Sequence, residues 1–366
     1  MTAGAQAGAG TTAPADAVRL AWVDVAKGLC IVLVVMMHST LGTGEAMGGE
    51  GFLHTVVAFA KPFRIPDFFL LSGFFLGRVI DRDWRLFADR RIVHFAYFYG
   101  LWVVLQSLTK YGQIVDGAGP EAFLAHLAHA LVEPYSTLWF IYLLAVFSVV
   151  TKLLRPVGGP LLLGVAAFLQ TVPLETSSYL VEELCARYVW FVAGYLFAER
   201  IFAFADTVRR HVGWTLLGLA AWAAVNGVLA FAPSGHPTHP TLASLPIVSL
   251  LVGGAGAMAI VATAALLTQA GGPVTAIFRA CGTRSIAIYL AFFLPMALTR
   301  SLIVKSNAIV DIGLASLIVT LVAVTVPLAV ERLVRHTPLA FLFRRPRAFH
   351  IVGEREKDVQ PVLKPA

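Results

Sequence analysis

The stretch KGLCIVLVVMMHST, Lys27 to Thr40, places ten residues between a lysine and a histidine, and nine of those ten are apolar. Gly28 is the exception. The run belongs to a longer apolar segment, 22–41, of about the 20 residues a helix needs to cross a hydrocarbon core. On a helix, eleven positions rise about 16 Å through about three turns, so Lys27 and His38 project from one face. A lysine at the inner end of a span is ordinarily an anchor that snorkels to the interface. A histidine inside a span is costly and reads by default as functional; the bland alternative is a hydrogen bond between helices.

Working outward, the pattern repeats. Of 366 residues, 58% are hydrophobic and 13% charged, against about a quarter charged in soluble domains. Mean hydropathy is +0.78. The apolar blocks are continuous, not alternating, which argues for helices over a membrane barrel. Ten segments read as candidate spans: 22–41, 52–79, 91–109, 137–155, 160–174, 184–202, 212–232, 243–268, 284–304 and 308–334. The expected fold is all-α, a polytopic membrane protein of about ten transmembrane helices. The segment 160–174 is the weakest, being short and ending at Pro173. The block 121–132 is too short to cross and reads as interfacial or re-entrant. Residues 1–18, rich in Ala, Gly and Thr, read as a disordered tail. Residues 19–335 form the membrane domain and 336–366 a basic cytoplasmic tail.

Loop charge sets the orientation. Arg78, Arg82, Arg85, Arg90 and Arg91 fall between spans two and three, and Lys152 and Arg155 between four and five. Arg200, Arg209 and Arg210 follow span six, Arg279 and Arg284 precede span nine, and Arg332, Arg335, Arg344, Arg345 and Arg347 follow span ten. The alternate loops carry few bases, only Lys110, Arg300 and Lys305, and hold acids instead, among them Glu45, Glu50, Asp116, Glu121, Glu133, Glu175 and Glu182. That alternation puts both termini in the cytoplasm. It also accounts for the net charge of +7 without nucleic acid. Cys30, Cys185 and Cys281 lie in apolar stretches and read as free thiols. No internal repeat points to a carrier built from inverted halves.

The second span, KPFRIPDFFLLSGFFLG from Lys61 to Gly77, is unusual for its polar content. Lys61, Arg64 and Asp67 recur at i, i+3 and i+6, a spacing that permits local ion pairing. A structural Arg64–Asp67 pair and an anion site facing a polar cavity are both open. Pro66 predicts a kink or break. Ser72-Gly73 permits close helix approach. His126, His129 and Glu133 have a spacing compatible with metal but lack a fourth ligand, so an amphipathic surface helix is preferred and no metal site is expected. His236 and His239 in PSGHPTHP read as a loop.

Four pieces resemble the acyltransferase 3 family, integral-membrane O-acyltransferases that acylate sugars and cell-envelope polymers. Lys27 to His38, with Asp24 ahead, is similar to that family's basic residue, ten positions and histidine. Pro66, Phe68, Phe69, Ser72 and Gly73 resemble its PxFFxxSG segment. Asp89-Arg90-Arg91-Ile92-Val93-His94 resembles its basic start of helix three. Leu138, Trp139, Phe140 and Tyr142 resemble its LWFxY segment, and CGTRSIAIYL, 281–290, is a weaker match. The similarity runs over about 19–335 and looks closest to a bacterial inner-membrane branch. Two departures stand out: His94 occupies the place of a second arginine, and Ala291-Phe292-Phe293 replaces a histidine after IYL.

The resemblance implies an acyl-CoA donor, acetyl-CoA above all, arriving from the cytoplasm as a substrate, with no permanently bound cofactor. Its phosphates would meet Lys27, Arg90 and Arg91. His38 would be the general base and Arg64 or Ser72 would stabilise the oxyanion. Asp67, Trp139 and Tyr142 are the candidate substrate contacts, for a hydroxyl on an envelope glycan or lipid-linked sugar. Direct transfer and a transient acyl-His38 both remain open. So do a proton-coupled carrier using His38, Arg64 and Asp67, and a non-catalytic scaffold. The enzyme reading predicts a cleft running from the basic residues to His38.

Overall fold

The computed structural model describes residues 15–352 apart from 118 and 173; most of the expected N-terminal tail, Pro173 and the end of the C-terminal tail lie outside the described residues. The described residues are 80% helical with nearly no strand. Residues 15–18, expected to be disordered, already belong to the first helix, α1 (Ala15–Met47). Seven helices among the described residues are long and apolar enough to cross a membrane: Leu20–Met47 within α1, Trp84–Thr109, Ser136–Leu153, Tyr179–Arg210, Val212–Phe231, Pro246–Ala270 and Ile312–Val334. Ser285–Ala291 and Phe293–Ser306, bent by 51°, make an eighth if counted together.

Two of the ten expected spans therefore take another form. The segment 52–79 divides into α2 (Phe52–Ala60), α3 (Arg64–Gly73) and a series of turns. The break falls at 61–63, before Pro66. Pro66 stands in the first turn of α3, where a helix makes no use of the missing N–H. The segment 160–174 contains only the 13-residue helix Gly159–Thr171, about 20 Å long and short of the hydrocarbon thickness. PSGHPTHP forms a small antiparallel hairpin with His236 opposite His239.

The first helix is the axis of the bundle. It packs on α3 and on Pro246–Ala270, Gly272–Thr283, Ser285–Ala291 and Ile312–Val334. Its closest crossing is with Gly272–Thr283. A Cβ on Gly28 would strike the Phe278 carbonyl, and one on Gly282 would strike the Asp24 carbonyl. The same device joins α3 to Tyr179–Arg210: a Cβ on Gly73 would meet the Phe191 carbonyl, and one on Gly194 the Leu70 carbonyl. Small residues at a crossing let backbones approach and maximise dispersion contact, the attraction available where lipid is as apolar as the side chains. By contrast Val212–Phe231 is peripheral and exposes Leu216, Leu217, Val225 and Val228, as a lipid-facing helix should.

The basic loops share one end of the bundle. Lys152 donates to the carbonyls of Ile80 at 2.6 Å and Arg82 at 2.7 Å, and Arg155 pairs with Asp81. Arg345 pairs with Asp89 at 3.0 Å. At this end the 3₁₀ segment Pro338–Leu342 and the residues after it fold back on Trp84–Thr109, through hydrogen bonds from Tyr97 to the Phe341 carbonyl and from Trp102 to the Leu342 carbonyl.

Gly28→Ala should lower the thermal midpoint of the detergent-solubilised protein, with a loss of about 1–3 kcal/mol for overpacking. Gly164→Ala, with open space around it, should be neutral or mildly stabilising. Equal midpoints for Gly28→Ala and wild type would remove the close crossing from the account of stability.

Candidate active site

A cavity of about 160 Å³ opens among α1, α3, Trp84–Thr109, Ser136–Leu153 and Ser285–Ala291. Lys27, Arg91 and His94 are its basic lining, Ser72 and Ser285 its hydroxyls, and Phe68, Phe75, Phe140 and Tyr289 much of its apolar wall. Lys27 and Arg78 both lie on the Phe75 ring, at 4.8 and 4.9 Å from its centroid. Lys27 interacts electrostatically with Asp24, Arg78 and Arg91. Lys27 and Arg91, half-buried on the cavity wall, with the exposed Arg78 beside Lys27, create a positive potential, which suits an anionic ligand.

Local backbone explains how Arg91 arrives there. Residues Ala88–Val93 form a π-helical turn within Trp84–Thr109. Such turns insert an extra residue into a helix and recur at functional sites. Arg91 and His94 face the cavity, whereas Arg90 is exposed and does not line it. His94 sits against Phe95 and Phe98.

Ser72 lines the cavity, but its hydroxyl proton is given to the Phe68 carbonyl at 2.7 Å. That leaves it an acceptor and no donor for an oxyanion. The bond is the ordinary i−4 back-bond of a helical serine.

His38 belongs to the next layer. It is not among the residues that line the cavity. Its ring is half-buried against Phe292, at 5.5 Å. The register of three helices explains the separation. Lys27, Phe68 and Tyr289 lie on the cavity; His38 is three turns beyond Lys27, Arg64 one turn before Phe68 and Phe292 nearly one turn after Tyr289. Phe68 stacks on Phe140 at 4.4 Å, and Phe140 meets Tyr289 at 5.7 Å. These three rings form part of the cavity wall. The Tyr289 hydroxyl is bound to the Thr137 carbonyl, which fixes one of them.

Arg64 shares the His38 layer, since the two interact electrostatically. Its Nη1 donates to the Val57 carbonyl at 3.3 Å, and its Nε is buried without a partner. The Arg64–Asp67 ion pair allowed by the spacing is not formed. Both Asp67 oxygens are buried without a hydrogen bond. Arg64 turns back along the chain to α2 because the break at 61–63 frees that direction. A guanidinium with an unused buried N–H is suited to accept developing negative charge.

Trp139 is half-buried and packs on Phe69 and, edge-on, on Tyr179. The Tyr142 hydroxyl donates to the Leu131 carbonyl at 3.0 Å, so its polar tip is engaged in holding the outer segment. Arg187 pairs with Glu183 at 3.0 Å on the same side. His126 contacts the Ser107 hydroxyl at 3.1 Å, and Glu133 accepts from the Leu180 amide at 3.1 Å. A hydrogen bond from Ser178 holds the Glu133 carboxyl below the usual carboxylate range. No group of three metal-ligating side chains occurs among the described residues.

Sequence reasoning did not assign Arg78, Tyr289 or Arg345 to the site. Arg78 was one loop arginine among five, and nothing local marks Arg345.

Fold and cavity together define a multi-pass helical membrane protein with a cation-lined recess at its basic end. The chain belongs to the acyltransferase 3 family, whose acyltransferase domain matches residues 20–331. It is 28% identical over 234 residues to inner membrane protein YcfT of Escherichia coli, covering 55% of this chain and 64% of that protein. It is 26% identical over 220 residues to nodulation protein NolL of Sinorhizobium fredii, covering 59% of this chain and 58% of that protein. The chain thus spans about three fifths of the length of these curated relatives. No solved structure matches it significantly.

The layering predicts a difference in access. In a cysteine-free background, a Ser285→Cys thiol should react with a membrane-impermeant maleimide supplied at the basic end at least about tenfold faster than a His38→Cys thiol, because modification follows exposure. Equal rates would mean that cavity and histidine layer are one compartment.

Proposed function

We propose that the chain is a membrane O-acyltransferase that takes an acyl group, acetyl in the first instance, from acyl-CoA and delivers it to a hydroxyl of an envelope glycan or lipid-linked sugar. Family membership supports transfer chemistry over the carrier and scaffold readings. The observation that carries the donor assignment is that Lys27 and Arg91 line a narrow, largely apolar cavity, with Arg78 beside Lys27 on the Phe75 ring. Cations at the mouth suit the phosphates of a coenzyme, and an apolar slot suits its slender arm. Loop charge turns this basic end to the cytoplasm, where acyl-CoA is available. The name of the Escherichia coli relative supports an inner-membrane location, surrounded by lipid.

In this reading His38 takes the proton of the acceptor hydroxyl as its oxygen attacks the thioester carbonyl carbon. Arg64 stabilises the negative charge that develops on the carbonyl oxygen. The carbon–sulfur bond then breaks, and the imidazolium of His38 returns its proton to the departing CoA sulfur. Arg64 is preferred to Ser72 because its Nε has no partner, whereas the Ser72 proton is engaged. The acyl group must pass the Phe68–Phe140–Tyr289 layer, so ring movement there is part of the proposed cycle. In this reading Trp139 and Asp67 contact the acceptor, and Tyr142, whose hydroxyl is engaged by the Leu131 carbonyl, shapes the outer wall instead of binding sugar.

His38→Ala should reduce envelope-glycan acylation about 10²–10⁴-fold at matched membrane expression. Acylation unchanged in every glycan and lipid-linked fraction would overturn the reading. Arg91→Ala should raise the KM for acyl-CoA about 10- to 100-fold, the loss of one charge-assisted phosphate contact, and change kcat much less. A fall confined to kcat would move Arg91 from donor binding to the chemical step.

A further inference from the structure

Lys110, Arg300 and Lys305 are bases at the end of the bundle opposite the basic loops. Lys305 is exposed, and Lys110 lies on the rings of Tyr135 and Phe293. Arg300 is half-buried and makes no hydrogen bond, ion pair or ring contact with the described residues. An arginine near the end of a membrane helix ordinarily snorkels along the lipid face to the headgroups. The helix Phe293–Ser306 turns Arg300 the other way. Leu294, Leu298 and Leu302 form its exposed stripe, whereas Met296 and Ile303, at i−4 and i+3 from Arg300, are buried. Arg300 is two residues from both Leu298 and Leu302, so it projects from the opposite, inward face. Its guanidinium lies over α1, where a Cβ on Gly42 would strike Nη1. Gly42 is one helical turn after His38, about 6 Å further along the same face. The two segments thus meet twice, Phe292 on the His38 ring and Arg300 over Gly42. Beside Gly42 on α1, Ser39 and Thr43 keep buried hydroxyls without a hydrogen bond.

We propose that Arg300 is an acceptor-side anion subsite, which holds the phosphate of a lipid-linked acceptor while a hydroxyl of its sugar reaches His38. The inference rests on the transferase reading above and narrows it, selecting a lipid-linked phosphate over an uncharged polymer glycan. Charge is the first argument. A guanidinium without a carboxylate keeps its N–H donors for an oxyanion, and its planar fork matches phosphate. Depth is the second. Leu302, two residues beyond Arg300, is still exposed on the lipid-facing stripe, so Arg300 stands where hydrocarbon gives way to headgroups. An anion held at that level belongs to a lipid. Reach is the third. Arg300 and His38 meet α1 one turn apart, a separation that one sugar residue spans. Gly42 serves the same arrangement, because the missing side chain lets the guanidinium lie against α1 and keeps it on the His38 face.

The test is residue-specific labelling of the full-length protein in dodecyl maltoside without added phospholipid. Phenylglyoxal modifies accessible arginines, and peptide mass spectrometry reads Arg300 separately from the exposed Arg332 at the basic end. The probe is farnesyl diphosphate, a prenyl diphosphate that carries no sugar. At saturation it should slow labelling of Arg300 about tenfold or more, by mass action, and leave Arg332 unchanged. Farnesol, with the same chain and no phosphate, should protect neither. Gly42→Ala lifts the guanidinium and leaves every charge in place. It should raise the half-protecting concentration about tenfold, the loss of one charge-assisted hydrogen bond. If Gly42→Ala does not fold, the wild-type arms decide. Arg300 that is unreactive without the probe, unprotected by farnesyl diphosphate or equally protected by farnesol would overturn the subsite. Equal protection by phosphatidylglycerol would assign Arg300 to ordinary headgroups and overturn its acceptor role. The labelling needs no catalysis, so the two proposals separate. Protection of Arg300 with acylation unaffected by His38→Ala keeps the anion subsite and overturns the transferase reading. Acylation lost in His38→Ala with Arg300 unprotected does the reverse.

Discussion

The backbone contact between α1 and Gly272–Thr283 is the constraint on which the other distances depend. Gly28 and Gly282 face each other's helices with no room for a methyl group. Gly28 is also the residue after Lys27, and Asp24, whose carbonyl meets Gly282, precedes it by one turn. The crossing therefore fixes the height of Lys27 relative to Arg279 and to the start of Ser285–Ala291. That in turn sets Ser285, Ile286 and Tyr289 on the cavity wall and Phe292 against His38. A larger residue at either glycine would separate the helices and shift both layers.

Given that frame, the cation cluster is a problem of mutual repulsion. Lys27 and Arg91 are half-buried with the exposed Arg78 nearby, and each raises the cost of the others. Two devices offset it. Phe75 offers its negative face to Lys27 and Arg78, an attraction worth about 0.5–2 kcal/mol. Asp24 supplies a single nearby carboxylate. The cluster is left with more positive than negative charge, and an anionic ligand would relieve that excess.

Much of this was legible because helix periodicity is local. One face of α1 carries Lys27 and His38, and α3 carries Arg64, Phe68 and Ser72 at helical spacing, so their order along the bundle could be read from numbers alone. The recess around Lys27 and Arg91 follows from loop charge and that order. What could not be read depends on contacts distant in sequence or on small departures from ideal helices. Arg90 and Arg91 are neighbours in sequence, and neighbouring helix positions do not share a face, so only Arg91 reaches the cavity; loop charge alone does not say which of the two would. Arg64 and Asp67 have the spacing of an ion pair, but the chain break at 61–63 gives Arg64 a different acceptor. The aromatic layer is assembled from three separate helices, and no single segment announces it. Arg345 looks like any other arginine of a basic tail.

The aromatic layer carries a further consequence for the proposed reaction. A thioester exposed to water beside an activated imidazole would be hydrolysed, and an enzyme that joins two compartments must avoid that loss. Separate layers offer a physical solution. In the proposed reaction the donor's charged end would be held by cations at one level and the base and guanidinium would act at another, beyond the wall to which Phe68, Phe140 and Tyr289 contribute. Phe68 and Phe140 have no polar tip to anchor them, whereas Tyr289 is tied through its hydroxyl to the Thr137 carbonyl. Of the three, the two phenylalanines are the freer to rotate. They also sit on α3 and at the start of Ser136–Leu153, the elements that carry Arg64 and Trp139. Movement there would couple passage of the acyl group to the groups that await it, without disturbing the α1 crossing that holds Lys27 and His38 at their fixed separation.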